Sequence, residues 1–105
     1  MNINEYQARA RVTAAYPGGG ASGGFLYAAL GLAAEAGESV NIAKKVLRGD
    51  YGPFDEAIKL VKPGLILELG DVLWYVAALA SELGVSLEDI AEANLTKLAA
   101  RRSGG

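Results

Sequence analysis

Residues 65–83 read LILELGDVLWYVAALASEL, a run that is long enough for a helix and too long for an ordinary strand. The run stops at Gly84, a residue type that commonly follows the end of a helix. Apolar side chains occupy almost every face, so we expect a helix that is buried on both sides. Glu68, Asp71 and Glu82 lie within the run, and these acids argue against a membrane span.

The remaining sequence predicts further helices, separated by breaks that contain glycine. Ser86 precedes two acids and so has the position of a helix N-cap. Lys45 and Arg48 come shortly before Gly49, a favourable place for cations at a helix C-terminus. Residues 17–24 are too rich in glycine for regular structure. The predicted helices cover about residues 4–15, 25–47, 65–83 and 86–102, with a short helix over 54–61 that Pro63-Gly64 ends.

Length and composition predict one small domain that needs a partner. With 105 residues, the chain fits a single domain, residues 1–105. A domain of this size buries only a modest share of its surface, yet 51% of the residues are hydrophobic. We therefore expect an all-α, four-helix bundle-like fold that is completed by oligomerisation, as a homodimer or a homotetramer.

The residue types that are absent exclude several kinds of site. The sequence contains no cysteine, so disulfides and thiolate metal sites are excluded. It contains no histidine, which removes Ser-His and Cys-His nucleophiles and the usual zinc ligand sets. A metal must therefore be bound by oxygen atoms, which favours Mg²⁺, with Mn²⁺ as a substitute.

Net charge and the N-terminal sequence indicate the surroundings of the protein. Ten basic and twelve acidic residues give a net charge of −2, which does not favour a nucleic-acid partner. Residues 1–5, MNINE, lack the basic and apolar regions of a signal peptide. We expect a cytoplasmic protein without a membrane partner.

Two pairs of acids are embedded in otherwise apolar helices. Glu35 and Glu38 are three residues apart, as are Glu68 and Asp71, so each pair lies on one helix face. By helical phase these faces also carry apolar residues and Tyr75, and they should look inward. Four ionised carboxylates in a partly apolar interior would repel one another strongly without a cation. The pattern therefore predicts a Mg²⁺ site in which these acids are both the ligands and the catalytic groups.

The ordinary alternative is that the acids lie on solvated helix faces, which is the usual position of glutamate in helices. One pair alone would favour that interpretation, whereas two pairs in apolar helices favour the metal site. Gly37 and Gly70 lie inside the two acidic motifs. Glycine inside a helix costs about 1 kcal/mol relative to alanine, and close helix approach or ligand access near the acids would explain it.

The last predicted helix carries a basic stripe, formed by Asn94, Lys97 and Arg101 at spacings of three and four. Lysine offers phosphate oxygens a point charge and arginine a planar fork, so the basic stripe is a candidate substrate-binding surface. The alternative is a solvated flank at a helix C-terminus, where cations are favourable anyway. Tyr75, one turn beyond Asp71, and its neighbour Trp74 could each contact a nucleobase, although aromatic residues in a buried helix are usually core. Of the two, only Tyr75 is favoured as the substrate contact.

Four segments occur in an order that is characteristic of one known family. They are GLAAEAGE at 31–38, Lys44-Lys45, ELGDVLWY at 68–75 and IAEANLTKLAAR at 90–101. Together they resemble the MazG-type nucleotide pyrophosphohydrolases over roughly residues 5–101. Either acidic motif alone is a weak signal, whereas both motifs followed by the Asn-Lys-Arg helix are specific.

The resemblance implies an all-α fold that assembles as a dimer or a dimer of dimers, with the site at the packed helices. It implies cleavage of nucleoside triphosphates between the α- and β-phosphates, which releases a monophosphate and pyrophosphate. Many members act on non-standard or surplus deoxynucleotides, as house-cleaning enzymes of the nucleotide pool. By motif match, the resemblance assigns metal binding to Glu35, Glu38, Glu68 and Asp71, and phosphate binding to Lys97 and Arg101.

One departure and three rival interpretations remain open at this point. Many relatives carry an acid immediately before the first metal ligand, where this chain has Ala34. If that acid orients water or a second metal in the relatives, the site of this chain would be slower or differently arranged. A di-iron carboxylate bundle is disfavoured because it requires histidine. The other rivals are a related all-α phosphohydrolase acting on dUTP or a phosphoribosyl-nucleotide, and a non-catalytic helical oligomerisation module. Residues 49–64 have no assigned role.

Overall fold

The computed structural model describes residues 1–17 and 22–104, and this part of the chain is helical with no strand. Its helices are α1 (Ile3–Val12), α2 (Ser22–Arg48), α3 (Phe54–Leu83) and α4 (Leu87–Arg102). The predicted all-α class is confirmed. Completion of the bundle by a second copy stays a prediction.

Local hydrogen bonds fix the connection between α3 and α4 where the sequence predicts it. The Ser86 side chain accepts a hydrogen bond from the Asp89 amide (3.0 Å), and the Asp89 carboxylate accepts one from the Ser86 amide (3.2 Å). Gly84 ends α3 in the left-handed region at φ +74°, which glycine adopts without steric cost. These two residues determine where α4 leaves α3.

The predicted break at Pro63-Gly64 is wrong, because α3 continues from Phe54 to Leu83 with Pro63 inside it. Proline removes one backbone hydrogen bond and costs about 3 kcal/mol in a helix interior. Packing on α2 offsets this cost, since side chains on both sides of the proline line the groove between α2 and α3. These groove residues include Ile58 and Leu65. The short helix predicted over 54–61 is therefore the first part of α3.

Two further boundaries differ from the predicted ones. α1 ends at Val12 instead of near residue 15, and the hydroxyl of its C-cap, Thr13, donates to the Ala10 carbonyl (2.7 Å). Within the glycine-rich run predicted to be irregular, residues 22–24 form the first turn of α2. Gly24 is buried there, so packing outweighs its low helix propensity. Residues 18–21 of that run lie outside the described residues.

α2 and α3 form an antiparallel hairpin, which is the expected arrangement for helices joined by a short loop. The loop, residues 49–53, turns at Gly49 and Gly52, which both have positive φ. α1 packs on α3, and α4 contacts α1 and α3 but, among the described helices, not α2. The α2–α3 hairpin is therefore the frame of the chain, and α4 is attached to it through α3.

The core of the protomer is small and consists mainly of alanine. Ala10, Ala77, Ala80 and Leu87 form the buried cluster, with Trp74 among the partly buried residues packed against it. In the described part of the chain, no large side chain is fully buried. Helices that meet through alanine can approach closely, but they bury little apolar area.

Much apolar surface is correspondingly exposed. The accessible area of the chain is 7155 Å², whereas a folded monomer of this mass exposes roughly 5,600 Å². The radius of gyration is 16.7 Å, against about 13 Å for a compact domain of this length. Large apolar side chains that are more than half exposed include Leu30, Val40, Leu60, Leu67 and Leu95.

α3 carries much of this surface. By length and composition α3 is apolar enough to cross a membrane, and little of it is buried within the chain. The core helix of a water-soluble protein has the same length and composition, so this observation alone is weak evidence for a membrane span. Glu68 and Asp71 lie within α3, where acids would be costly in lipid.

Candidate functional site

The hairpin brings the two acidic motifs together. Glu35 lies in the middle of α2, while Glu68 and Asp71 are almost one turn apart on α3. One carboxylate oxygen from each of these three residues lies within 4.8 Å of the other two. Because the predicted spacing places each motif on one helix face, packing of the two helices is sufficient to create the cluster.

Glu38, the fourth predicted acid, lies beside this cluster. Its charge raises the pKa of both Glu35 and Glu68, although it is outside the group of three whose oxygens converge. Carboxylates this close repel one another when they are ionised, and a cation among them would remove that repulsion.

The electrostatics of the cluster favour a bound cation. Burial raises the pKa of Glu35, and the charges of Glu38 and Asp71 raise it further. The pKa of Glu68 is also raised, first by burial, then by the hydrogen bond with Glu38 and by the neighbouring carboxylates. Within the described residues, Oε2 of Glu35 and Oε2 of Glu68 are buried without a hydrogen-bond partner. Buried oxygens normally have partners, so this all-oxygen donor set fits a hard divalent ion such as Mg²⁺.

The acids differ in exposure, although the sequence predicts that all four look inward. Glu35 and Glu68 are half-buried, whereas Glu38 and Asp71 are exposed. The cluster thus lies at the surface, with two half-buried and two solvent-accessible carboxylates. A polyphosphate could reach it from the solvent side, as a catalytic metal site requires.

A cavity of about 340 Å³ opens beside the acids. Tyr75 lies in its wall, so the structure brings this predicted substrate contact next to Glu35 and Asp71. Trp74, which the sequence interpretation assigns to the core, lines the same cavity and is only partly buried. The remaining lining residue is Thr13, from the end of α1.

Gly31 determines where Tyr75 can lie. A Cβ atom at Gly31 would be 2.0 Å from Cε1 of the Tyr75 ring, so only glycine permits this contact. Burial and a side-chain hydrogen bond with Tyr27 raise the pKa of the Tyr75 hydroxyl. Gly31, one turn before Glu35 on α2, therefore positions an aromatic wall directly beside the acids.

The glycines within the acidic motifs have a different environment. A Cβ atom at Gly37 or Gly70 would meet nothing within 4 Å among the described residues. Close approach of helices within one chain therefore does not explain these two glycines. Ligand access near the acids, the other explanation offered by the sequence, stays a prediction.

The basic stripe lies apart from the acids of α2. Asn94, Lys97 and Arg101 are all exposed. Their helix, α4, contacts α1 and α3 but not α2 within the described chain. The substrate-binding role of the basic stripe therefore stays a prediction.

An ion pair between the half-exposed Arg11 and the buried side chain of Glu82 was not anticipated from the sequence. The Glu82 carboxylate is 2% exposed and accepts hydrogen bonds from Arg11 (2.8 Å) and from the Tyr16 hydroxyl (2.7 Å). The Tyr16 ring stacks on Tyr27, with centroids 5.2 Å apart and planes at 10°. These contacts fix the end of α1 against α2 and α3. No local pattern reveals them, because they join residues far apart in the sequence.

Comparisons with known proteins agree with this geometry. The family model of the MazG nucleotide pyrophosphohydrolase domain matches residues 26–104, which include both acidic motifs and α4. The chain is similar to the gene 37 protein of Mycobacterium phage L5, with 42% identity over 108 residues that span 100% of this chain and 92% of that protein. No solved structure matches the chain.

Proposed function

Because the chain belongs to the MazG nucleotide pyrophosphohydrolase family, we propose that it hydrolyses nucleoside triphosphates to a monophosphate and pyrophosphate. The observation that carries this proposal is the cluster of Glu35, Glu68 and Asp71, with two buried oxygens that lack partners. The proposed substrates are deoxynucleotides or non-standard nucleotides, and the proposed role is cleansing of the nucleotide pool in the cytoplasm.

The proposed metal ligands are Glu35, Glu38, Glu68 and Asp71. Bound Mg²⁺ supplies charge neutralisation of the triphosphate and a lower pKa for water. A carboxylate of the cluster takes the proton of the attacking water, whose oxygen forms the new bond to the α-phosphorus. The bond between the α-phosphorus and the bridging oxygen breaks, and pyrophosphate leaves with that electron pair.

The proposal assigns the leaving phosphates to the basic stripe. Lys97 and Arg101 would stabilise the charge that develops on the pyrophosphate, and Asn94 would add a hydrogen bond. Since α4 does not contact α2 in the described chain, the basic stripe would serve the acidic cluster from a second copy.

A second copy also explains the exposed apolar surface. The accessible area exceeds that of an ordinary monomer by roughly 1,600 Å² per chain. A pair of chains could bury about twice that area, which is in the range of obligate homodimer interfaces. We propose a homodimer or a homotetramer whose partner, and not lipid, covers α3. Protein that remains in the supernatant without detergent, at twice or four times the mass of the chain, would agree with this assignment; partitioning into membranes would contradict it.

The activity test is a screen of common and modified NTPs and dNTPs with Mg²⁺, scored for both pyrophosphate and monophosphate. Release of orthophosphate, or cleavage only of dUTP or a phosphoribosyl-nucleotide, would favour the related phosphohydrolases. No turnover of any nucleotide would favour the non-catalytic module.

Charge-neutral variants test the metal site separately from the fold. Glu38→Gln and Asp71→Asn should lose activity by orders of magnitude, because the ion that positions water and phosphate is lost or misplaced. In chelator both variants should melt at the wild-type temperature or higher, since each removes repulsion from the cluster. Earlier melting in chelator together with near-normal turnover would contradict the metal-site assignment.

A further inference from the structure

The cavity beside the acids is lined by two chemically different groups of residues. Glu35 and Asp71 belong to the proposed metal site. Thr13, Trp74 and Tyr75 are uncharged, and two of the three carry aromatic rings. A volume of about 340 Å³ lies at the lower end of the range for small-molecule sites. A ligand with one anionic part and one flat, uncharged part would match this division.

The indole ring of Trp74 is held in place from several directions. Its Nε1 donates a hydrogen bond to the Thr13 hydroxyl oxygen (2.8 Å), and the Thr13 hydroxyl in turn donates to the Ala10 carbonyl (2.7 Å). The ring makes edge contacts with Tyr75, at 5.0 Å and 80°, and with Tyr16, at 6.2 Å and 85°. A ring fixed in this way loses little freedom when a ligand stacks on it.

The charges around the ring decide which part of a nucleotide it suits. Arg11 is hydrogen-bonded to Tyr16, whose ring contacts Trp74. Its guanidinium group is already paired with Glu82 (2.8 Å). The cavity lining among the described residues therefore offers no free cation to a polyphosphate. An uncharged aromatic heterocycle, in contrast, gains from stacking on an aromatic side chain.

We propose that Trp74 forms the stacking wall for the nucleobase of the substrate, and that Thr13 is the positioning residue that holds its ring. The proposal rests on the nucleotide hydrolysis proposed above. Thr13 belongs to the end of α1, outside the residues 26–104 that the family model matches. The end of α1 thus supplies the hydroxyl that holds the Trp74 ring, whereas Trp74 itself lies within the matched residues. Because every base has a π-face, this wall accepts several bases, and its affinity for each base follows the strength of stacking.

Fluorescence provides a direct test, because Trp74 is the single tryptophan of the chain. The unaltered protein with Mg²⁺ is titrated with a purine nucleoside monophosphate, and in parallel with ribose 5-phosphate. The monophosphate should quench Trp74 emission with saturation, whereas ribose 5-phosphate should leave the emission unchanged. Equal quenching by both compounds, or quenching by neither, would overturn the proposal.

Variants separate stacking from folding. Trp74→Ala should weaken monophosphate binding about 5- to 150-fold, measured by calorimetry. The affinity for inorganic tripolyphosphate, which has no base, should not change. Thr13→Val keeps the shape of the side chain but removes its hydrogen bond to Trp74, so it should raise KM with little change in kcat. The control Val12→Ala, at the exposed neighbouring position, should behave as wild type. If Trp74→Ala does not fold, Trp74→Phe, with a smaller ring, should give an intermediate loss. Equal losses for monophosphate and tripolyphosphate would overturn the proposal.

These results also distinguish this proposal from the proposed function. Quenching by a nucleoside monophosphate without hydrolysis of any triphosphate would retain the base site and refute the enzyme. Hydrolysis of triphosphates with unchanged kinetics in Trp74→Ala would retain the enzyme and refute the base site.

Discussion

Replacement of Gly31 by alanine tests whether the aromatic wall is fixed by contact with α2. The new Cβ would lie 2.0 Å from Cε1 and 2.5 Å from Cδ1 and Cζ of Tyr75. Since carbon atoms pack at about 3.5–4.0 Å, the ring would have to move by roughly 1.5 Å. Its neighbours would resist, because Tyr75 touches both Tyr27 (6.5 Å between centroids) and Trp74 (5.0 Å).

The expected magnitude is a difference between two opposing effects. Overpacking typically costs about 1–3 kcal/mol, whereas glycine to alanine within a helix contributes up to about 1 kcal/mol of stability. Gly64→Ala is the matched control, since a Cβ there meets nothing within 4 Å among the described residues. Gly31→Ala should therefore be less stable than Gly64→Ala by about 1–3 kcal/mol, which corresponds to a melting temperature lower by at least roughly 4 °C.

Circular dichroism melting in chelator, at equal protein concentrations, measures this difference. Emission from Trp74 should shift in Gly31→Ala but not in Gly64→Ala, because the ring of Tyr75 touches the indole. The KM for nucleotides should rise as the wall of the cavity moves. A Gly31→Ala variant that melts at or above Gly64→Ala, with unchanged emission and KM, would refute the reasoning.

Three other predictions concern the basic stripe, the acids and the assembly. Lys97→Ala and Arg101→Ala should each lower kcat/KM without loss of fold or metal binding. The control Arg102→Ala, which lies off the basic stripe, should leave kcat/KM unchanged. Wild-type kinetics for all three variants would show that the basic stripe is only a solvated flank. Because the folded-state pKa values of Glu35 and Glu68 are raised, the contribution of these two acids to stability in chelator is fully present below their ordinary pKa values and is lost as pH rises through the raised values. Mg²⁺ should diminish that loss, so the difference between melting temperatures with and without the ion should grow as pH rises. A difference that does not grow would contradict the raised values. Light scattering at micromolar concentration should give a dimer or a tetramer, and a stable monomer would contradict the interface.

The acidic cluster could be predicted from sequence because its geometry is mostly local. A spacing of three residues places two carboxylates on one face of any helix, whatever packs against it. Only one tertiary fact is then needed, the pairing of α2 with α3, and the short loop at 49–53 favours that pairing. The error at Pro63 has the opposite origin. A proline rule describes the backbone of an isolated helix, whereas the packing of α3 on α2 determines the outcome here.

The sequence suggests an aromatic contact near the acids, but it does not predict what holds the Trp74 ring, because those contacts join distant segments. Trp74 and Tyr75 are neighbours in an apolar helix, and no periodicity shows which ring faces the acids. The Trp74 hydrogen bond to Thr13 joins residues 61 positions apart. Contacts of the exposed acids and the exposed basic stripe could not be predicted either, since their proposed partners would lie in another copy of the chain. The surplus of apolar residues predicts that such a copy exists. Which surfaces of the two copies meet depends on tertiary contacts between side chains, and no local sequence pattern predicts those contacts.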